Sequence, residues 1–278
     1  MKSVNGDRKC CGIVPAAGRA SRVQPLPVSK ELFPVGFTGA GEDGDLSQIR
    51  PRVAADYLLE GMRRGGARRI FIILGQGKWD IPAYFGSGGS RGLELAYLLT
   101  EVPYGAPFTV RQALPFARCA TVLFGFPDIV FEPLDAFAQL LAHQRATGAA
   151  VTLGLFPATN PNKMDMVGLD TGQRVREIFI KPAQTDLAYT WLIAVWSWAF
   201  SRYIQSYLAR VEASIEDGDL PAGDGRQREY YMGHVLQGAL EDGWEISGLC
   251  FDTGRYIDIG TPEDMYLAVK GGLNREEI

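Results

Sequence analysis

The 278-residue sequence predicts an α/β fold. The expected architecture is a doubly wound, mostly parallel, Rossmann-like sheet with helices on both faces and an antiparallel addition in the C-terminal half. Three observations predict it. Short apolar runs without polar alternation, such as Arg69–Leu74 and Thr121–Phe124, read as strands buried on both faces. Between such runs lie segments whose apolar residues recur three and four apart, the amphipathic helical spacing. After about residue 157 the alternation gives way to strands joined by short turns.

Each element has its own signal. Cys11–Val14 reads as a buried first strand, followed by a polar loop from Ala16 to about Lys30. Phe37–Gln48, rich in glycine and acids, reads as a mobile surface insertion. Val53–Arg64 has Val53, Tyr57, Leu58 and Met62 on one helical face, and Gly65-Gly66 stops it. Arg69–Leu74 and Leu93–Leu99 are the next strands. Pro107–Ala117 is a helix with proline in its first turn. Thr121–Phe124 is a strand, Pro133–Thr147 a helix and Ala149–Phe156 a strand. Met166–Asp170 and Val175–Ile180 flank Thr171-Gly172-Gln173 as a hairpin. Ala188–Trp198 is a long strand, Phe200–Ser214 and Tyr230–Glu241 are helices, Ile257–Gly260 a short strand and Pro262–Val269 a last helix. The chain is expected to form one domain over 1–278. Two parts of different character, about 9–156 and about 157–278, would make it up.

Composition narrows the function. With 28 basic and 32 acidic residues the net charge is −4, which excludes a strongly basic nucleic-acid binder. The four cysteines lack CxxC pairing, so neither a zinc cage nor a disulfide framework is expected. Lys2, Arg8 and Lys9 before a short apolar run imitate a signal peptide, but Pro15, Arg19 and Arg22 follow at once, as for a strand entering a loop. The longest apolar stretch, Trp191–Phe200, is half of what a bilayer requires. A cytoplasmic protein without membrane partner is expected. His143 and His234 lie far apart, so no histidine-based metal site or triad is supported.

In parallel sheets ligands bind beyond the carboxyl ends of the strands. The loops after Val14 and after Phe124 therefore share a working edge. The first reads Pro15-Ala16-Ala17-Gly18-Arg19-Ala20-Ser21-Arg22. Small residues let backbone N–H groups approach a phosphate, and arginines pair with its oxygens. Lys30 follows in Ser29-Lys30-Glu31-Leu32-Phe33-Pro34, and the second loop ends in Phe126-Pro127-Asp128.

These residues resemble the sugar-phosphate nucleotidyltransferases, such as glucose-1-phosphate thymidylyltransferases and UTP–glucose-1-phosphate uridylyltransferases. Gly18, Ser21, Arg22, Pro25, Lys30, Glu31 and Pro34 fit that family's first loop. Gly88, Ser90, Gly92 and Leu93 resemble its glycine turn, and Pro103-Tyr104-Gly105 its base-binding turn. Val122–Asp128 resembles the strand ending in a metal-binding aspartate. Lys181-Pro182 resembles a sugar-phosphate lysine turn, and Ile257–Glu263 a D-x-G-T-P-E motif. The order holds over roughly 250 residues.

The resemblance implies roles. Ala16, Ala17, Gly18, Ser21, Arg22, Thr100 and Gly105 would bind nucleotide, with dTTP or UTP as donor. Arg22 would stabilise the leaving pyrophosphate, and Lys30 would sit near the α-phosphate and the nucleophile. Asp128 and Asp258 would hold Mg²⁺. Lys181 would hold the phosphate of a sugar 1-phosphate, with Ile180 and Leu192 beside the sugar. A homo-oligomer, dimer or tetramer, is implied as well.

The sequence also departs from the pattern. Ala20 replaces a glycine, so the loop path is expected to differ if that position needs positive φ. Thr100 falls where a base-reading Gln is usual, and Ile180 where a sugar-contacting Glu is usual. Leu192 falls near a small residue. Apolar bulk at 180 and 192 predicts a less hydroxylated, differently shaped or non-glucose phosphate acceptor, or a closed pocket. The alternative function is then a catalytically impaired module that binds a nucleotide or a sugar phosphate.

Overall fold

The computed structural model describes residues 10–39, 47, 49–101, 104–119, 121–216 and 229–271. Lys2, Arg8, Lys9, Pro103 and most of the Phe37–Gln48 insertion lie outside the described residues.

In chain order, the first half contains β1 (Cys10–Ala16), β2 (Pro34–Thr38), β3 (Arg50–Val53), α1 (Ala54–Arg64), β4 (Arg69–Leu74), α2 (Asp80–Phe85), β5 (Glu94–Leu99), α3 (Ala106–Ala113), β6 (Thr121–Gly125), β7 (Ile129–Glu132), α4 (Ala136–Thr147) and β8 (Val151–Pro157). The second half contains β9 (Met166–Leu169), β10 (Val175–Phe179), β11 (Tyr189–Ser197), α5 (Trp198–Glu216), α6 (Met232–Glu241), β12 (Ile246–Cys250), β13 (Arg255–Asp258) and α7 (Pro262–Gly271).

Alternation along the central strands explains why the sheet is covered twice. Cys11, Ile13, Phe71, Ile73, Val122 and Phe124 enter one buried cluster, with residues of α3, α5 and α6. Val14, Ile70, Ile72 and Leu123 enter a second, with Leu58, Leu59 and Met62 of α1 and Phe137 and Leu140 of α4. A strand presents successive side chains to opposite faces, so a run such as Arg69–Leu74 must be apolar throughout.

The main sheet has nine strands, β10-β9-β11-β6-β1-β4-β5 with β8 and β12 branching from β11. Within it β5, β4, β1 and β6 are mutually parallel. The chain winds from β1 outward to β5, then returns to place β6 on the other side of β1. Strand order therefore reverses between β1 and β6, the place where open α/β sheets bind ligands.

The antiparallel addition is aimed at that place. β8 pairs along β11 from Tyr189 to Trp196. On the opposite edge of β11, β6 pairs with Ile193–Ser197 and β9 with Tyr189 and Thr190. Thus β9 continues past the carboxyl end of β6, and the β9–β10 hairpin overhangs the working edge.

Two small sheets complete the fold. β2 pairs with β3, and β7 with β13, both antiparallel. A third cluster, Val23, Val35, Ala54, Val130, Ile259, Met265 and Ala268, packs α7 under them.

Boundaries differ from expectation where signals compete. The helix after β5 ends at Ala113 instead of Ala117, and the one after β7 begins at Ala136, three residues beyond Pro133. The last short strand is Arg255–Asp258, displaced from Ile257–Gly260, because Gly260 lies beyond its partner β7. Among the described residues, no helix is long and apolar enough to cross a membrane.

Candidate active site

The loop after β1 begins with Ala17, Gly18 and Arg19. Ala16 itself is the last strand residue, paired with Leu74 and 1% exposed, so its side chain belongs to the core. Ala20 has φ 53 and ψ 34, so the left-handed position survives without glycine, at a cost of about 1–2 kcal/mol. Ser21 and Arg22 follow in a single 3-10 turn, both exposed.

The far end of the loop is clamped. The Ser29 N–H and O–H donate to the two oxygens of Asp80, at 2.6 and 2.7 Å. Lys30 then starts a second 3-10 turn and forms an ion pair with Asp128 across the switch point. Burial works against the Lys30 charge, but the Asp128 carboxylate holds its pKa up, helped by Glu31 and Asp258. Burial likewise opposes ionisation of Asp128, and the Lys30 ammonium wins, holding the carboxyl below its usual range.

Asp258 arrives from 130 residues away through the smallest sheet. β13 pairs with β7, which sets Asp258 opposite Ile129. The Ile259 N–H donates to the Asp128 carbonyl at 2.8 Å. Burial pushes the Asp258 carboxyl up to about 6, and the neighbouring Asp128 charge adds to this. Lys30 and Arg22 pull the other way. Arg22 enters no ion pair among the described residues. Two crowded carboxylates are hard oxygen donors suited to Mg²⁺, which takes one or two carboxylates and completes its shell with phosphate oxygens and water. Among the described residues no group of three or more His, Cys, Asp or Glu could hold a metal, so such an ion would depend on its substrate.

Beside this centre a cleft of about 610 Å³ opens between the loops after β1 and β4, lined by Ala17, Gly18, Ala20, Lys78, Asp80 and Thr100. The two loops meet backbone to backbone: a Cβ on Gly75 would lie 2.6 Å from the Ala17 carbonyl oxygen. A Cβ on Gly18, by contrast, would meet nothing within 4 Å. Thr100 is buried at the cleft wall, and its N–H donates to Leu74 O at 3.0 Å. Lys78 reaches Glu31 at 2.5 Å, an ion pair 11% and 3% exposed at its side chains. Burial raises the Glu31 pKa, with Lys78 opposing it. A larger cavity, about 920 Å³, lies between α1 and the β2–β3 hairpin, but contains none of the expected site residues. Three of its arginines are already paired with Glu60 and Asp56.

Gly105 is explained by the chain itself. With φ 108, it sits against the backbone of Tyr230, whose carbonyl oxygen would be 2.0 Å from an added Cβ. It is buried and docks the start of α3 on the segment entering α6.

The overhanging hairpin supplies the other wall. Lys181 is exposed, has φ 45, and places its ammonium 3.7 Å from the centre of the Tyr231 ring. Ile180 is half-buried beside Gly233. Leu192 does not line the site: it lies on β11 with its side chain fully buried in the second core. A register shift between Trp191 and Ile193 accompanies this, and Trp191 instead faces Phe126, with ring centres 5.8 Å apart.

Sequence reasoning missed Lys78, the Ser29–Asp80 clamp, Asp165 and Tyr231. Lys78 had a readable signal. Gly75-Gln76-Gly77-Lys78 repeats, after β4, the pattern of a strand, a small-residue loop and a cation seen after β1. Asp165 had none.

The strand order, the loop at its reversal and the two convergent aspartates define an α/β protein with charged side chains gathered at the carboxyl edge of its sheet. No protein-family model and no curated protein sequence matches the chain. Solved structures do. A Bacillus anthracis protein assigned as a glucose-1-phosphate thymidylyltransferase, in complex with sucrose, superposes with a TM-score of 0.74 at 18% identity, covering 97% of this chain and 96% of that one. A UDP-glucose pyrophosphorylase complexed with UDP-glucose gives 0.71 at 13% identity, covering 94% and 97%. The chain has a sugar-phosphate nucleotidyltransferase-like fold.

Proposed function

We propose that the protein transfers a nucleotidyl group from a nucleoside triphosphate to a sugar 1-phosphate, releasing pyrophosphate and giving a nucleotide sugar. The observation that carries this is the meeting of Lys30, Asp128 and Asp258 at the strand-order reversal, beside the loop holding Arg22. The fold likeness supports it.

The reaction asks the protein for positioning and charge. A phosphate monoester is largely dianionic at neutral pH, so its oxygen needs no base to attack the α-phosphorus. One bond forms there, and the bond to the bridging oxygen breaks as pyrophosphate leaves. The chain's task is to bring two polyanions together. Lys30 carries a firmly held proton, so it offers a permanent positive charge that phosphate oxygens would share with Asp128. Arg22, exposed on its 3-10 turn, would meet the departing pyrophosphate. Mg²⁺, held by Asp128 and Asp258, would supply charge neutralisation along the triphosphate. The cleft between the loops after β1 and β4 would take the nucleoside, with Thr100 in its wall. Lys181 on the hairpin would hold the acceptor phosphate.

The test is pyrophosphate release with Mg²⁺, using dTTP, UTP, CTP, GTP and ATP, each against a panel of sugar 1-phosphates. Release that needs both substrates supports transfer. Nucleotide binding without release across the panel would favour the non-catalytic module.

A further inference from the structure

The cavity of about 920 Å³ between α1 and the β2–β3 hairpin takes no part in the proposed reaction, yet it is ringed by arginine. Its volume lies in the range of small-molecule sites, about 300–1,000 Å³. Arg50 and Arg52 reach it from β3, Arg63 and Arg64 from the end of α1, and Arg91 from the turn before β5. Two carboxylates, Asp56 and Glu60, stand against these five guanidinium groups. Glu60 serves two of them: Arg63 donates through Nε and Nη2 at 2.8 and 2.9 Å, and Arg64 through Nε at 2.7 Å. Arg63, with help from Arg64, holds the Glu60 carboxyl down to about 2. Asp56 accepts from Arg91 at 3.0 Å and from the Val53 N–H at 3.2 Å. Arg50 donates to the Ile49 and Ser47 carbonyls, and neither it nor Arg52 enters an ion pair among the described residues. The cavity therefore carries an excess of positive charge.

Two of the guanidinium groups are also held in orientation. Arg52 lies over the Tyr57 ring at 3.6 Å, and Arg91 lies 5.3 Å from the centre of the Tyr84 ring and 4.7 Å from that of Phe85. A guanidinium stacked on a ring keeps a fixed N–H edge, suited to the two-pronged contact that phosphate oxygens accept. The Arg91 side chain is 28% exposed and that of Asp56 16%, so charge here is poorly screened by water. Gathering five like charges around one hollow is unfavourable for the free chain, and an anion in the hollow removes that cost. Apolar surface adjoins the charges: Val28 and Pro34 line the same cavity, and Tyr84 is 42% exposed. A bare inorganic ion would leave that surface wet, whereas a phosphate ester would cover it. Val28 also lines the cleft beside Thr100, so the two cavities adjoin there.

We propose that this cavity is a second ligand site, for an organic phosphate with an apolar or aromatic body. Arg52 and Arg91 grip the phosphate from the β3 side and the β5 side, and the body lies against Tyr84 and Val28. A phosphate monoester carries nearly two negative charges at neutral pH, which suits two guanidinium forks better than the single charge of a carboxylate does. The site is separate from the candidate active site and does not depend on the transferase reading.

Calorimetric titration of the full chain with 1-naphthyl phosphate, 1-naphthol and inorganic phosphate tests it. The proteins are wild type, Arg52→Gln, Arg91→Gln and, as a control for the neighbouring cleft, Arg22→Gln, with circular dichroism confirming each fold. Wild type is expected to bind naphthyl phosphate more tightly than naphthol or inorganic phosphate, and more weakly as salt is raised. Arg52→Gln and Arg91→Gln should each weaken that binding about tenfold or more, and Arg22→Gln should leave it unchanged. If Arg91→Gln fails to fold, Arg52→Gln decides, because Arg52 holds no carboxylate among the described residues. Naphthyl phosphate binding that survives both cavity variants, or that Arg22→Gln abolishes, would overturn the site. So would the absence of binding to the wild type. Naphthol binding as tight as that of the ester would remove the role of the arginines, and equal affinity for inorganic phosphate would remove that of the apolar surface; either result overturns the proposal.

Discussion

The two walls of the working edge are built by different means. The wall formed by the loops after β1, β4 and β6 is assembled from backbone and fixed charge. Ala20 is held left-handed, Ser29 is clamped by Asp80, and Lys30 is locked to Asp128. The wall formed by β9–β11 and the start of α6 is assembled from side chains whose polar atoms are partly unspent. Asp165 and Trp191 leave an acceptor and a donor unpaired, and the Lys181 ammonium rests on a ring. In the transferase reading proposed above, the first wall would meet the triphosphate and the second the acceptor.

Five substitutions sharpen or break that contrast, in descending order of effect. Asp128→Asn and Asp258→Asn should each lower pyrophosphate release on the order of 10²–10³-fold with every acceptor alike. Acceptor-dependent losses in a steady-state assay would mean that the first wall is not generic.

Glu31→Gln should come next, acting on stability. It strands the Lys78 charge, and breaking one side of a buried pair costs about 3–5 kcal/mol. The melting temperature should fall by several degrees, and Glu31→Met combined with Lys78→Met should recover most of it. An unchanged midpoint for the single variant would show that water already relieves the pair.

Asp165 gives a pH signature. Burial pushes its carboxyl up to about 6, with Lys181 partly offsetting this. The folded chain therefore holds this proton more tightly than the unfolded chain, whose aspartates titrate near ~3.9. The associated stabilisation is complete below about pH 4 and disappears as the pH rises through 6. At pH 7 the charged group costs about 3 kcal/mol. Melting curves of wild type and Asp165→Asn should diverge from pH 4 to pH 7, the variant gaining. A constant difference would contradict a strained carboxylate in the second wall.

The smallest effect belongs to Ala20→Gly, which removes the left-handed penalty and should stabilise by about 1 kcal/mol. Destabilisation instead would show that the methyl group packs usefully against the cluster around Val23.

Legibility in the sequence followed the same division. β1, β4, β6 and α1 were readable because each carries a sustained period and a clear stop, as at Gly65-Gly66. β7 was not, since four residues between Asp128 and Pro133 are too few to show a period, yet β7 brings Asp258 to Asp128. β12 was hidden by Gly248 at its centre, which faces Leu155 too closely for any side chain. In the site, Arg22, Lys30, Asp128 and Asp258 lie within short motifs that resemble a family pattern and could be singled out for that reason. Asp165 and Trp191 could not, because Asp165 at the entry to β9 meets Trp191 on β11 only through tertiary pairing, which leaves no local signal. A register shift of β11 against β8 at Trp191 and Ile193 accompanies the burial of Leu192.

The most direct measurement is a steady-state matrix with Mg²⁺: KM for the nucleoside triphosphate and KM for the sugar 1-phosphate, in wild type, Arg22→Gln and Lys181→Gln. Arg22→Gln should raise only the first constant, and Lys181→Gln only the second, each with pyrophosphate release still requiring both substrates. Equal shifts of both constants in either variant, or release from the triphosphate alone, would contradict a site divided into a generic phosphate wall and a selective acceptor wall.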